Sequence, residues 1–474
     1  MSRRIAIVGA GISGLATGHY IRKGLASTGE DVELAILESD SVPGGTMRTV
    51  REEGFGIEWG PNGFLTNKPH TLALVKELGI EDRLLRSSDS ARKRYVFTGG
   101  RLERLPETPL SFLTSGLLTL PGRLRVMAEP FARSPQPGKD ESVAEFAVRR
   151  LGTEAMEKLI EPMAAGVFAG NPDKLSLNSC FPRIRELETR YGGLIKAMVS
   201  LQLERRKKAT SLGPDGRPKE MSAGPGGVLT SFDQGVQTII ETLAGRFSES
   251  LRLDAKVTGL RRLGSKWELA VTEKGRPTYL QADCVVLSCP SYAASGIVGG
   301  LDAQLSAELA AIPYVPVAVA AFGWDAAGLS RPLDGFGFLV PRLEGRRILG
   351  ALWDSSVFPV RAPQGRVLMR VMVGGARQPE LALLPEERIL SMVGEELADI
   401  MGIHAPPILR KAFIHPKAIP QYPVGHGAAL ERLSTRLQGL PGLFLNNNAY
   451  RGIGLNDCVL QSRLTAEALV SSIR

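Results

Sequence analysis

Six residues near the start of the chain, Gly9-Ala10-Gly11-Ile12-Ser13-Gly14, constrain its fold more than any other stretch. They follow a β-rich apolar run, Ile5-Ala6-Ile7-Val8, and lead into a helix-compatible run from Ile12 to Lys23. In such a strand–turn–helix unit the first glycine permits a tight turn and the second admits a pyrophosphate close to the backbone. The third lets helix and strand pack closely. Phosphate oxygens then sit on the unpaired N–H groups of a helix N-terminus. A glycine-rich turn by itself is weak, because such turns also serve purely as connections. The next apolar run, Val32 to Leu37, ends at Glu38, 24 residues after Gly14. That is near the ~20-residue distance at which an acid reaches a ribose hydroxyl. Strand, glycines, helix, strand and acid together predict a dinucleotide site on a parallel sheet.

A chain of 474 residues exceeds one ordinary core and predicts two or three domains. Its hydrophobic content of 43% is that of a globular protein, and no apolar run reaches the ~18 residues of a membrane span. Arg3-Arg4 followed by Ile5 to Ala16 resembles a signal peptide, but glycines 9, 11 and 14 interrupt it. The mature chain is therefore expected to start near Met1 and to remain inside the cell. Four cysteines without a C-x-x-C pair agree with a reduced compartment, and five scattered histidines predict no protein metal site. The net charge of +9 favours anionic partners or surfaces. Part of it lies in Arg205-Arg206-Lys207-Lys208, beside a Gly/Pro-rich stretch. Without interleaved aromatics this reads as a solvated loop, and no nucleic acid is expected.

A second small-residue loop, Pro43-Gly44-Gly45-Thr46-Met47-Arg48, follows the first unit, and Glu58-Trp59-Gly60-Pro61-Asn62-Gly63 marks a tight return. Such loops let backbone pass close to a bulky ligand, with Arg48 available for phosphate. From Tyr95 to Leu203 the pattern is mostly helical. Within it, Pro109 to Phe131 combines Leu110, Leu117, Leu118 and Leu124 with Arg123, Arg125 and Arg133, as an interfacial membrane segment would. A helical hairpin packed on its own domain is the alternative. Later runs read as strands at 251–253, 257–260, 267–271, 279–280 and 284–288, then at 315–324, 336–340, 348–353 and 367–374. A helix over Glu386 to Met401 follows. The tail, Asn448 to Asp457, returns to small residues before a helix over Val459 to Ser472.

These motifs resemble the flavin-containing amine oxidase and phytoene desaturase superfamily, and within it the oxygen-dependent protoporphyrinogen oxidase family. The discriminating stretches are Gly166-Val167-Phe168-Ala169-Gly170-Asn171, Gly335 to Pro341, Ile419 to His426 and Gly452 to Cys458. The resemblance implies an α/β fold of three parts. A discontinuous, Rossmann-like FAD-binding domain would take 1–90, 228–300 and 425–474. A mostly helical membrane-associated domain would take 91–210, a Gly/Pro linker 211–227, and an antiparallel-sheet substrate domain 301–424.

It implies non-covalent FAD, held by Gly9, Ala10, Gly11, Ile12, Ser13, Gly14, Glu38, Ser39, Gly45, Thr46 and Arg48. Gly60, Pro61, Asn62, Gly63, Val257, Asn448, Ile453, Gly454 and Leu455 would complete the site. It further implies six-electron oxidation of protoporphyrinogen IX to protoporphyrin IX in haem biosynthesis, with O2 as acceptor and hydrogen peroxide released. The flavin would do the chemistry, and the protein would place the macrocycle and exclude water. Phe336 and Leu339 would sandwich a pyrrole, Arg94 would hold a propionate, and the Gly166 carbonyl would act on the departing hydrogen. Arg92 is an alternative to Arg94, and Phe336 and Leu339 alternatively serve as strand core. Asn62 stands where some relatives carry arginine, which shifts propionate binding toward Arg94. The implied location is the cytoplasm and the cytoplasmic face of the cell membrane, peripherally attached, with monomer or homodimer left open. Coproporphyrinogen III oxidation, amine oxidation, carotenoid desaturation and a non-catalytic FAD-binding role are the other readings.

Overall fold

A computed structural model describes residues 3–26, 32–136, 138–209 and 227–473. Its centre is a five-stranded parallel sheet in the order Leu251–Arg252, Val32–Leu37, Arg3–Val8, Cys284–Leu287, Leu443–Leu445. These strands are apolar on both faces because both faces are covered. Ile5, Ile7, Leu34, Ile36 and Val286 join one core with the helices Ile12–Ala26, Gln237–Gly245 and Leu455–Ser472. Ala6, Val8, Leu37, Val285 and Leu287 join another, against the antiparallel strands Ala255–Leu263, Lys266–Glu273 and Arg276–Ala282. The first and last helices are also tied by buried polar contacts. Asn446 Nδ2 donates to Thr17 Oγ1 (2.7 Å) and to Ser462 Oγ (3.0 Å), and Ser462 Oγ donates to Ser13 O (3.0 Å).

A seven-stranded sheet forms the second body. Its order is Leu409–Pro420, Tyr314–Asp325, Arg366–Gly374, Gly350–Leu352, Gly337–Leu339, Tyr95–Thr98, Arg101–Arg104. Every neighbouring pair is antiparallel except Gly337–Leu339 with Tyr95–Thr98. The helix Glu386–Met401 covers one face with Ile389, Val393 and Leu397. This corrects the expected division at residue 91. The segment 95–104 is a hairpin of the seven-stranded sheet, turned by Gly99 and Gly100 at φ 59° and 77°, as a two-residue turn demands.

The helical part begins at Pro109–Thr114 and includes Leu120–Met127, Val143–Leu151, Glu161–Phe168, Pro182–Tyr191 and Leu194–Ala209. Leu117 and Leu118 are 2% and 3% exposed, so they are core residues and not the apolar surface expected of them. The outward face carries Leu120, Leu124, Met127 and Phe131, the last 90% exposed, together with Met198, Val199 and Leu203. Buried Glu129 joins the two stretches by accepting from Leu194 N (2.8 Å) and Ile195 N (3.1 Å) at a helix N-terminus. Among the described residues no helix is long and apolar enough to cross a membrane. The linker expected at 211–227 lies, apart from Gly227, outside the described residues.

Candidate active site: a dinucleotide cradle beside an apolar cavity

The glycine turn and the ends of the parallel strands enclose a cavity of about 420 Å³. Of the residues expected to hold a cofactor, Gly9, Gly11, Ile12, Ser13, Glu38, Ser39, Gly45, Thr46, Val257 and Asn448 line it. Ala10 and Gly14 act behind the wall. Ala10 N donates to Glu38 Oε2 (2.7 Å), and Ala10 O accepts from Gly44 N (2.9 Å), which brackets the two glycine loops together. A Cβ on Gly14 would lie 1.9 Å from Gly9 O, so only glycine lets the helix approach the turn this closely. The other Glu38 oxygen accepts from Asp40 N (3.0 Å) and Ser39 Oγ (3.1 Å). A carboxylate offers about four acceptor positions, so one remains for a ribose hydroxyl.

Several buried polar atoms around these loops have no hydrogen-bond partner among the described residues: both amide atoms of Asn62, Arg48 Nε, Trp59 Nε1 and Ser288 Oγ. Each such atom costs roughly 1–3 kcal/mol if left unmet. The donors, the acceptors and the open helix N-terminus fit a bound dinucleotide. Arg48 itself pairs with Asp40 (2.6 Å) and lies 4.8 Å from the Trp59 ring centre. Gly60, Pro61 and Gly63 shape the return loop, and a Cβ on Gly63 would meet Thr230 O at 2.2 Å. Gly454 caps the C-terminal helix, Leu455 is in the core beneath it, and Ile453 packs beside Phe168 and Tyr422. Burial pushes the Cys289 thiol at the cradle wall up to about 12, which keeps it protonated.

The second feature is an apolar cavity of about 110 Å³ bounded by Gly166, Leu339, Leu349, Leu352, Met372 and Ile419. A Cβ on Gly166 would lie 2.8 Å from Leu339 Cδ2, so these two expected residues do meet. Gly166 lies in the last turn of the helix Glu161–Phe168, where carbonyls carry the negative end of the dipole. None of the lining side chains is ionisable, so the wall can orient and desolvate a ligand but supplies no acid or base.

Phe336 is not in this wall. Its ring packs with Ala91, Val357 and Phe358, and Arg94 lies 5.4 Å above it. Phe336 precedes the strand Gly337–Leu339 and packs in a different cluster from the wall that Leu339 lines, so the two expected residues are not brought together on one cavity. Leu349, Leu352 and Met372 were not singled out as site residues from the sequence, and Ile419 entered only as the start of the stretch Ile419 to His426; which apolar residues meet at this cavity depends on how the strands pack. Arg94 is exposed and makes no ion pair among the described residues, whereas Arg92 pairs with Asp89 and Lys93 with Asp334.

The cradle and the apolar cavity share one partition. Ala418 and Lys417 line the cradle while Ile419 lines the cavity, and Tyr314 and Val317 divide in the same way on the neighbouring strand.

The sequence pattern of the flavin containing amine oxidoreductase family matches residues 12–470. The coproporphyrinogen III oxidase of Bacillus subtilis is 30% identical over 471 residues, covering 97% of this chain and 96% of that protein. The chloroplastic protoporphyrinogen oxidase of Oryza sativa subsp. japonica is 32% identical over 473 residues, covering 97% of this chain and 86% of that one. Among solved structures, a protein from Exiguobacterium sp. 255-15 with the provisional name protoporphyrinogen oxidase superposes with a TM-score of 0.82 at 25% identity, covering 99% of both chains.

Proposed function

Because this chain belongs to the flavin containing amine oxidoreductase family, we propose that it is an FAD-dependent oxidase that converts a porphyrinogen to the porphyrin in haem biosynthesis. The observation that carries this reading is the shared partition: a dinucleotide cradle on one side and an apolar, acid-free cavity with Gly166 on the other. Bound FAD supplies the electron acceptor, with O2 as its reoxidant. The residues position and dry the reacting carbons. Leu339, Leu352 and Met372 offer apolar surface to pyrrole rings, and the Gly166 carbonyl, at a helix C-terminus, favours a departing proton or positive charge. Cofactor contacts are assigned to the expected loops, including Asn62, Ile453 and Gly454.

Protoporphyrinogen IX, with two carboxylates, is the proposed substrate, since in the Arg92–Arg94 strip Arg92 and Lys93 are paired and Arg94 has no ion-pair partner among the described residues. The Bacillus subtilis relative's name favours coproporphyrinogen III, with four, as the second reading. Anaerobic mixing of the yellow protein with each porphyrinogen, followed by porphyrin fluorescence under air, decides between them. Faster bleaching by the tetra-acid reverses the assignment, and a flavin that stays oxidised with both removes the oxidase reading. Arg94→Ala is expected to raise KM for protoporphyrinogen IX about tenfold or more with FAD retained, the worth of a charge-assisted hydrogen bond of ~1.5–3 kcal/mol. Unchanged steady-state kinetics would take Arg94 out of the site.

Peripheral attachment to the cytoplasmic face of the membrane is proposed for the outward helical face. Leu124→Ser/Phe131→Ser is expected to lower sedimentation with anionic liposomes at least tenfold, since burying one such side chain is worth about 1.5–3 kcal/mol. Leu117→Ala should instead lower the melting temperature and leave partition alone. Equal sedimentation of the double variant and the parent would leave that face without a membrane role.

A further inference from the structure

Arg370, on the strand Arg366–Gly374, is fully buried, and so is its partner Asp354. Its Nε and Nη2 donate to the two carboxylate oxygens at 2.9 and 2.8 Å. The remaining edge of the guanidinium leaves the substrate sheet: Nη1 donates to Glu58 O (2.8 Å) and Gly60 O (3.1 Å). Taking such a pair out of water is expensive, and apolar residues of similar volume commonly serve a core as well or better. The fork therefore calls for an explanation in what it holds.

It holds the loop that carries Asn62. From the other side, the Glu58 carboxylate takes Arg361 (2.6 Å), Val236 N (3.0 Å) and Thr49 Oγ1 (2.7 Å), so the loop is pinned at its start from both bodies. Two positions along the same strand face, Met372 lines the apolar cavity. One strand thus fixes both the wall that a substrate would touch and the anchor of the cofactor loop.

We propose that Arg370, oriented by Asp354, is a positioning residue that sets the depth of the 59–63 loop relative to the Met372 wall, and so the approach of substrate to FAD. The inference rests on the FAD oxidase reading above. Arginine is suited to this because its planar fork satisfies a carboxylate and two carbonyls at once, which a lysine ammonium does not.

The test uses the full chain with Arg370→Lys, and with Arg370→Met/Asp354→Leu, in which apolar side chains replace the pair. For either variant with an unchanged melting temperature, the oxidised-flavin absorption bands should shift or broaden and kcat should fall, with KM nearly constant. A misplacement of about 1 Å costs on the order of a hundredfold. FAD titration into flavin-depleted chain should show affinity weakened at least severalfold. A folded variant whose spectrum, FAD affinity and kcat all match the parent overturns the proposal. Loss of fold in both variants also overturns it, because the pair then serves stability alone. A parent chain that takes up no FAD overturns instead the reading on which the proposal rests, and this is seen before any variant is made.

Discussion

Gly14→Ala should purify as a colourless protein, with FAD affinity at least a hundredfold below that of the parent. The added Cβ would stand 1.9 Å from Gly9 O, a backbone atom with no rotamer to escape into. The helix Ile12–Ala26 must then withdraw from the turn, and the N–H groups proposed to meet the pyrophosphate withdraw with it. Overpacking of this kind costs roughly 1–3 kcal/mol in the protein itself, and the lost phosphate contacts add to it. Gly11→Ala makes the informative comparison. Among the described residues nothing lies within 4 Å of a Cβ there, so the fold should be untouched while the methyl occupies ligand space. Flavin absorbance per chain and the melting temperature separate the two: Gly14→Ala loses both, and Gly11→Ala only the first. A yellow Gly14→Ala protein with parental FAD affinity would show that the turn does not hold the cofactor.

Gly166→Val should keep its FAD and lose porphyrinogen oxidation by about a hundredfold or more, as expected when a reacting group is displaced by about 1 Å. Gly166 sits within a helix and is absent from the positive-φ positions, so its backbone does not require glycine. What requires glycine is the space before Leu339. In Gly166→Ala the clash is with Leu339 Cδ2, the end of a flexible side chain, and one rotamer change relieves it. The valine adds two further methyl groups to a cavity of about 110 Å³. Graded activity from Gly through Ala to Val, with constant flavin content, is the expected pattern. Anaerobic flavin bleaching at the parental rate in the Val variant would place the substrate elsewhere.

Local pattern was legible in the sequence wherever local forces decide the outcome. The strand Val32–Leu37 and the helix Glu386–Met401 fall where their periodicity puts them, and the glycine turn lies on the cavity it was expected to form. The edge strand Leu409–Pro420 was not legible, because two prolines and interspersed lysines are compatible with an edge and argue against an interior strand. Tyr95–Thr98 was absorbed into a helical stretch although Gly99-Gly100 marked a hairpin. Side-chain direction was the harder quantity. Phe336 and Leu117 are apolar residues in suggestive company, but one packs beneath Arg94 and the other in the interior, and parity and tertiary packing decide that. The Arg370–Asp354 pair had no sequence signal, since neither residue has a motif and their meeting depends on how the short helix Asp354–Val357 folds back on the strand Arg366–Gly374.

The central sheet carries a consequence for how the protein is made. Ile5 pairs with Cys284, and Val285 with Leu443, so the first strand lacks its inner neighbour until most of the chain exists. At about 5–20 residues per second, the ribosome releases the last strand and helix on the order of tens of seconds after the first. Until the helix Gln237–Gly245 and the strands after it emerge, much of the apolar surface of this strand–helix–strand unit lacks its final cover, and high contact order makes the eventual pairing slow. Asn448 and the C-terminal helix complete the cradle last. A cradle built from such widely separated segments is complete only when the region around Asn448 has been made, so its assembly is tied to long-range pairing and not to the glycine turn alone.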